Sequence, residues 1–238
     1  MIRQGAVIAA GEGSRLLGDG FAPHKPLVSV AGTPLVAHVL GNLCAAGLCR
    51  VSIIFNESEA DCAAFVKERF ADLDLTVILK STPSSLVSFG EVLSLSKAGR
   101  TLVSTVDAFC PEDDFVDFVR RAERRPVDAT VLAVTPFVAD EKPLWVTLGK
   151  DGLVTRVGGD RGDAVTAGIY VVSEGARGHA VAPASGLARL RDFLAWLVAR
   201  GEPIFAESIR KVVDVDRGED VALAEELARS RSVVGTRR

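Results

Sequence analysis

Residues 6–27, AVIAAGEGSRLLGDGFAPHKPL, constrain this chain more than any other stretch. An apolar run, Ala6–Ala10, leads directly into Gly11-Glu12-Gly13-Ser14-Arg15, and Lys25-Pro26-Leu27 follows ten residues after Arg15. A buried strand that ends in a glycine-rich loop can bring backbone N–H groups close to phosphate oxygens, because glycine has no Cβ in the way and reaches positive φ cheaply. An arginine fork and a lysine point charge on the same loop neutralise a polyphosphate. Spacing excludes two commoner phosphate loops. The dinucleotide fingerprint needs a third glycine where this chain has Leu16, and no Gly-Lys-Ser/Thr string of the Walker type exists here.

Beyond the loop, apolar runs alternate with helical patterns. Strands are expected at Ala6–Ala10, Val51–Phe55, Thr76–Leu79, Thr101–Val106 and Ala129–Val134. Helices are expected from Thr33-Pro34 to about Ala46, from a Ser58-x-x-Asp61 cap toward Phe70, from a Ser88-x-x-Glu91 box to Lys97, and over Glu112–Arg124. Such alternation argues for a three-layer α/β sandwich with a mostly parallel, Rossmann-like central sheet. The second half is less regular. Trp145–Leu148 and Val154–Val157 flank a hairpin signal, Ala164–Val172 is β-rich, and Leu187–Arg200 reads as a helix. Ile209–Val215 reads as a strand, and a final helix spans about Glu219–Arg229. The polar 229–238 tail reads as a fraying terminus. No linker divides the chain, so residues 1–238 are expected to form a single domain.

Composition narrows the class. With 238 residues, 48% of them hydrophobic, the chain can bury a full core. Its net charge of −3 gives no basic face for nucleic acid. Cys44, Cys49, Cys62 and Cys110 form no metal-ligand spacing and read as small core residues in a reducing compartment. No apolar run is long enough for a membrane span, and the N-terminus is too short for a signal peptide, so a cytoplasmic protein without a membrane partner is expected.

The segment resembles the signature of the nucleotidyltransferase superfamily that includes sugar-1-phosphate nucleotidylyltransferases, molybdenum-cofactor nucleotidyltransferases and phosphocholine cytidylyltransferases. The likeness continues through Val28–Leu35, similar to the family's "K-P-L, strand, G-x-P-L" run. It implies the nucleotide-diphospho-sugar transferase fold, with residues up to about 110 holding the nucleotide and about 111–230 the acceptor. It also implies an NTP as one substrate, a phosphorylated small molecule (a sugar phosphate or phospho-alcohol) as acceptor, Mg²⁺ as cofactor, and a homodimer as one oligomeric state open to it. The loop roles fall on Ala9, Ala10, Gly11, Glu12, Gly13, Ser14, Arg15 and Lys25, with Arg15 and Lys25 catalytic.

Nucleotidyl transfer places charge on phosphoryl oxygens, so carboxylates for a divalent metal are expected. Asp107 follows the strand Thr101–Val106, at the sheet edge where ligands gather, and resembles the family's metal-binding aspartate. The second carboxylate lies in Val213-Asp214-Val215-Asp216. Asp216-x-x-Glu219 reads as a capping box for the last helix, giving Asp216 a structural duty. Asp214 is therefore the expected metal ligand, with Asp216 as second choice. Arg217-Gly218 stands where the family usually has Thr-Pro. Of the histidines, His38 reads as structural, and His24 as either a phosphate contact or a solvated loop residue.

The acceptor region departs from the sugar-nucleotide pattern. Lys80 reads equally as a donor to a base carbonyl or as a surface lysine. The serine-rich Ser81–Ser88 run resembles the "S-S-L" stretch of phospho-alcohol cytidylyltransferases and puts Ser85 near the nucleotide. Glu141-Lys142-Pro143 imitates an acceptor motif but precedes the hairpin it should follow. Arg161 occupies the matching place, as an acceptor-phosphate cation or a turn residue. Thr166-Ala-Gly-Ile-Tyr170 is similar to the family's "N-A-G-I-Y" strand, which implies acceptor roles for Thr166 and Gly168. The expected activity is that of an enzyme of the nucleotidyltransferase class. The alternatives are a non-catalytic nucleotide-binding regulator and a glycosyltransferase of the same topology that uses a nucleotide-sugar.

Overall fold

The computed structural model describes residues 1–11, 13–21, 24–139, 142–183 and 186–235, with side chains as far as residue 230. The wholly buried strand β1 (Gln4–Ala9) delivers the glycine loop, which turns into a short helix α1 (Ser14–Gly18). Lys25–Leu27 form a 3₁₀ turn, followed by a small ribbon of β2 (Ser29–Val30) and β3 (Thr33–Pro34). Thr33-Pro34 thus pair as a strand, Pro34 stands at the N-cap without a side-chain bond, and α2 begins one residue later than expected (Leu35–Ala45). Next come β4 (Arg50–Phe55), α3 (Ala60–Arg69), β5 (Asp74–Leu79) and α4 (Ser85–Ser94). The cap of α4 is Ser84, whose Oγ accepts from the Val87 amide, so Ser88 lies inside the helix. The chain continues through β6 (Thr101–Thr105), β7 (Ala108–Phe109), α5 (Glu112–Glu123) and β8 (Thr130–Thr135).

The second half contributes the hairpin β9 (Trp145–Leu148) and β10 (Val154–Val157), then the long strand β11 (Ala164–Val172). It closes with α6 (Glu174–Val181), α7 (Leu190–Ala199), β12 (Ile204–Ser208), β13 (Val213–Asp214) and α8 (Gly218–Gly235). Two expectations fail here. Ile209–Val215 is only a two-residue strand, and the main strand lies upstream at Ile204–Ser208. The last helix also continues well past Arg229.

The nine-stranded sheet runs β10-β9-β11-β6-β1-β4-β5, with β8 beside β11 and β12 beside β8. Following the pairings outward from β1, every strand but β10 and β11 points the same way. Alternation along β1 sends Val7 and Ala9 to one face and Ala6 and Ile8 to the other. The first face packs under α2, α3, α5 and α8, through residues such as Leu40, Val66, Phe118 and Ala224. The second packs under α4, α6 and α7, through Phe89, Ala176 and Phe193. The result is helix, sheet, helix. The C-terminal ends of β1, β6 and β8 therefore open onto one edge, between the two helix layers. Among the described residues, no helix is long and apolar enough to cross a membrane. The four cysteines are unbridged; Cys62 and Cys110 are buried as expected, whereas Cys49 is exposed.

Candidate active site

The glycine loop folds back onto Lys25. Gly13, at φ 59°, lies in the left-handed region and precedes α1. A Cβ there would stand 2.7 Å from the Cβ of Lys25, so the close approach requires glycine. Leu16, fully buried, anchors α1 to the core and leaves Arg15 half in solvent. A Cβ on Gly11 would meet no protein atom, which leaves open space beside the exit of β1. Glu12 lies outside the described residues. Ala9 is buried at the strand end, and Ala10 packs partly buried against the second core.

Lys25 is buried, and its ammonium meets carboxylates from two directions. Nζ donates to Asp107 Oδ2 at 2.7 Å and to Asp216 Oδ1. Arg15 Nη1 reaches the other Asp216 oxygen at 3.5 Å. Burial alone would lower the Lys25 pKa, but the charges of Asp107, Asp216 and Asp214 outweigh it and push the value above the ordinary lysine range. Burial would likewise raise Asp107. The Lys25 charge, with hydrogen bonds from Lys25 and Thr105, instead holds this carboxyl below the usual carboxylate range.

A backbone ribbon brings these carboxylates together. Strand β7 pairs antiparallel with β13, setting Ala108 opposite Asp214, and the Val215 amide donates to the Asp107 carbonyl at 3.0 Å. One oxygen from each of Asp107, Asp214 and Asp216 falls within 4.8 Å of the others. Three oxygen donors so close suit a hard divalent cation. The capping role expected of Asp216 belongs elsewhere. The amides of Asp216 and Arg217 both donate to Asp220 Oδ2, at 3.0 and 2.8 Å. Asp220 reaches back over the first turn of α8, and the Asp216 carboxylate is turned toward Lys25.

The same three aspartates line a cavity of about 450 Å³ between the helix layers. Ser85, Thr166 and Gly168 also line it, as do Tyr170, Phe137, Leu144, Arg189 and Arg191. Ser85 Oγ accepts from the Leu190 amide at 3.2 Å, tying α4 to the start of α7. Gly168 sits where the β11–β8 register shifts, at φ 70°, and a Cβ would come within 2.5 Å of Thr105 Oγ1. Two expected site residues lie apart. Lys80 Nζ is engaged by Glu91 Oε1 at 2.6 Å, and neither lines the cavity. Arg161 is exposed, beyond the cavity lining, and its carbonyl accepts from Arg156. His24 faces Asp61 and Glu59 at 3.5 and 3.8 Å, and His38 Nε2 lies 2.9 Å from the Val30 carbonyl. Arg189 and Arg191 carried no sequence signal. Pro143, from the string that stood out of order, does reach the cavity wall.

With this geometry in hand, residues 5–212 match the MobA-like NTP transferase domain. The chain belongs to that family. The resemblance carried by the glycine loop points to the same superfamily. A CMP-5'-(3-aminopropyl)phosphonate synthase of Streptomyces rubellomurinus (strain ATCC 31215) is 27% identical over 183 residues, which is 71% of this chain but only 28% of that protein. The inositol-1-phosphate CTP transferase of T. maritima shares the fold at a TM-score of 0.81 and 18% identity, covering 95% of this chain and 96% of its own. A UDP-glucose pyrophosphorylase solved with UDP-glucose aligns at a TM-score of 0.77 and 14% identity, covering 97% of this chain and 100% of its own. The sandwich expected from strand and helix alternation is the fold these structures share.

Proposed function

We propose that this chain joins the nucleotidyl group of an NTP to a small acceptor carrying a phosphate or phosphonate, with Mg²⁺ and release of pyrophosphate. The observation that carries this reading is Lys25, held between Asp107 and Asp216 at the edge of the cavity and under the glycine loop. The acceptor needs no protein nucleophile, because its phosphoryl oxygen is already ionised. A new P–O bond forms at the α-phosphorus as the bond to the β-phosphate breaks, and pyrophosphate carries away the electrons. Positioning and neutralisation of the developing charge are what the residues supply.

In this account the glycine loop and Arg15 grip the β- and γ-phosphates, and Lys25 meets charge building on the α-phosphoryl group. Asp107, Asp214 and Asp216 would hold the metal, which would supply Lewis-acid polarisation of the phosphoryl group. Residues up to about 110 serve the nucleotide, and the cavity formed with residues 135–191 takes the acceptor. The name of the Streptomyces relative supports cytidine as the base and a phosphonate as one acceptor class.

The test is a matrix of four NTPs against hexose phosphates, phosphocholine, glycerol phosphate and alkylphosphonates, read as pyrophosphate release with Mg²⁺. A nucleotidyltransferase gives pyrophosphate that depends on both substrates. A glycosyltransferase would instead consume a nucleotide-sugar, and a nucleotide sensor would bind NTP without turnover; either result removes this reading.

A further inference from the structure

The cavity is lined by charges of both signs from different sides of the sheet. Asp107, Asp214 and Asp216, whose neighbours pack in the first core, are where the nucleotide phosphates and the acceptor's phosphorus must meet, in the reading just given. Arg189 and Arg191 flank Leu190 at the start of α7, which packs in the second core. Arg189 is neutralised locally, with Nε and Nη2 on the two oxygens of Asp192 at 2.9 and 3.0 Å. Arg191 donates one Nη2 bond to the Lys142 carbonyl at 3.1 Å, which uses one of the five donors a guanidinium has. Arg191 is half-buried.

Tyr170, buried, lines the same cavity. Burial raises its pKa, Asp214 and Asp107 push it the same way, and Arg191 pulls it back. The ring thus lies within the fields of both the carboxylate cluster and the arginine. The phenol stays protonated at neutral pH and screens neither charge. Phe137 and Leu144 add apolar lining.

From this polarity we infer that the acceptor carries a second anionic group, a carboxylate, at the end remote from its phosphorus, and that Arg191 recognises it. The inference rests on the nucleotidyl-transfer reading of the same site. A guanidinium forks onto a carboxylate in two parallel bonds and repels an ammonium at the same place. The acceptor charge is then opposite to the amine named in the product of the Streptomyces relative.

The test holds length constant and varies the terminal charge: 3-phosphonopropionate, butylphosphonate and 3-aminopropylphosphonate, with the preferred NTP and Mg²⁺, read as kcat/KM for pyrophosphate release. The wild type should prefer the carboxylate to the amine by about tenfold or more. Arg191→Gln should bring that ratio near one, and Arg191→Glu should invert it, each variant being checked for fold by circular dichroism. An amine preference in the wild type overturns the inference without any variant. So does an equal loss on all three acceptors in Arg191→Gln, which would place the arginine on the phosphorus group instead. If hexose phosphates release pyrophosphate and none of the three phosphonates does, the inference falls and nucleotidyl transfer stands. No pyrophosphate from any acceptor removes both.

Discussion

Lys25 shows why a motif can be legible while its surroundings are not. Its spacing from the glycine loop marks it from sequence, because a loop that binds phosphate needs a cation at that reach. What the sequence does not reveal is that Asp216 becomes its partner across 191 residues. The Asp216-x-x-Glu219 string satisfies a local capping rule, and the local rule is wrong here because Asp220 takes the amides first. Arg191 was invisible for a related reason: an arginine near a helix start looks like solvated charge until the fold turns it onto a cavity. At this scale, pH tests the charge balance. Asp107 is held below its ordinary value of 3.8, so its stabilising effect is complete above that value and is lost as pH falls through the lower folded value. Asp107→Asn should therefore cost ~1.5–3 kcal/mol at pH 7, the range for hydrogen bonds to charged groups. In urea titrations the gap to wild type should shrink as the pH drops below about 4. A gap of equal size at pH 7 and pH 3 would contradict the assignment.

Among the elements, strong periodicity was readable and weak periodicity was not. Strand β11 falls on the expected residues because nine residues of β-rich sequence leave no helical alternative. Helix α6 was unseen because Gly175 and Gly178 lower its helical propensity; Ser173, accepting from the Ala176 amide, and packing of Ala176 and Ala180 hold it instead. Strand β12 was placed too late because its sequence mixes Glu207 into a short apolar run, and its strand character comes from pairing with β8. The start of α8 carries the prediction for this scale. Asp220→Ala should cost ~0.5–2 kcal/mol in thermal or urea unfolding, as the loss of a helix-start acceptor does. Asp216→Ala should also cost some stability, since buried Lys25 loses a partner, but unlike Asp220→Ala it should lower turnover by ~10²-fold or more. Comparing the two variants in both assays checks this. A stable, inactive Asp220→Ala beside an unstable, active Asp216→Ala would reverse the roles.

For the whole molecule, one topological fact matters most. Strand direction places the exits of β1, β6 and β8 on one edge, and the β7–β13 ribbon then adds residues from near the chain's end to a site begun at its start. That is why the glycine-loop side of the candidate site is legible in a contiguous motif, whereas the cavity side, assembled from distant segments, is not. Lys80 and Arg161 stand out only by position in a pattern, and the folded chain takes one to Glu91 and leaves the other at the surface. The proposed function rests on a carboxylate cluster that would serve metal-dependent nucleotidyl transfer. The most direct test is the rate of pyrophosphate release, with the best NTP and acceptor, as free Mg²⁺ is varied for the wild type and Asp107→Asn. The account predicts no turnover without a divalent ion, a saturable response in the wild type, and a loss of ~10²–10³ in the variant at every Mg²⁺ concentration reached. Mg²⁺-independent turnover, or superimposable curves for the two proteins, would contradict it.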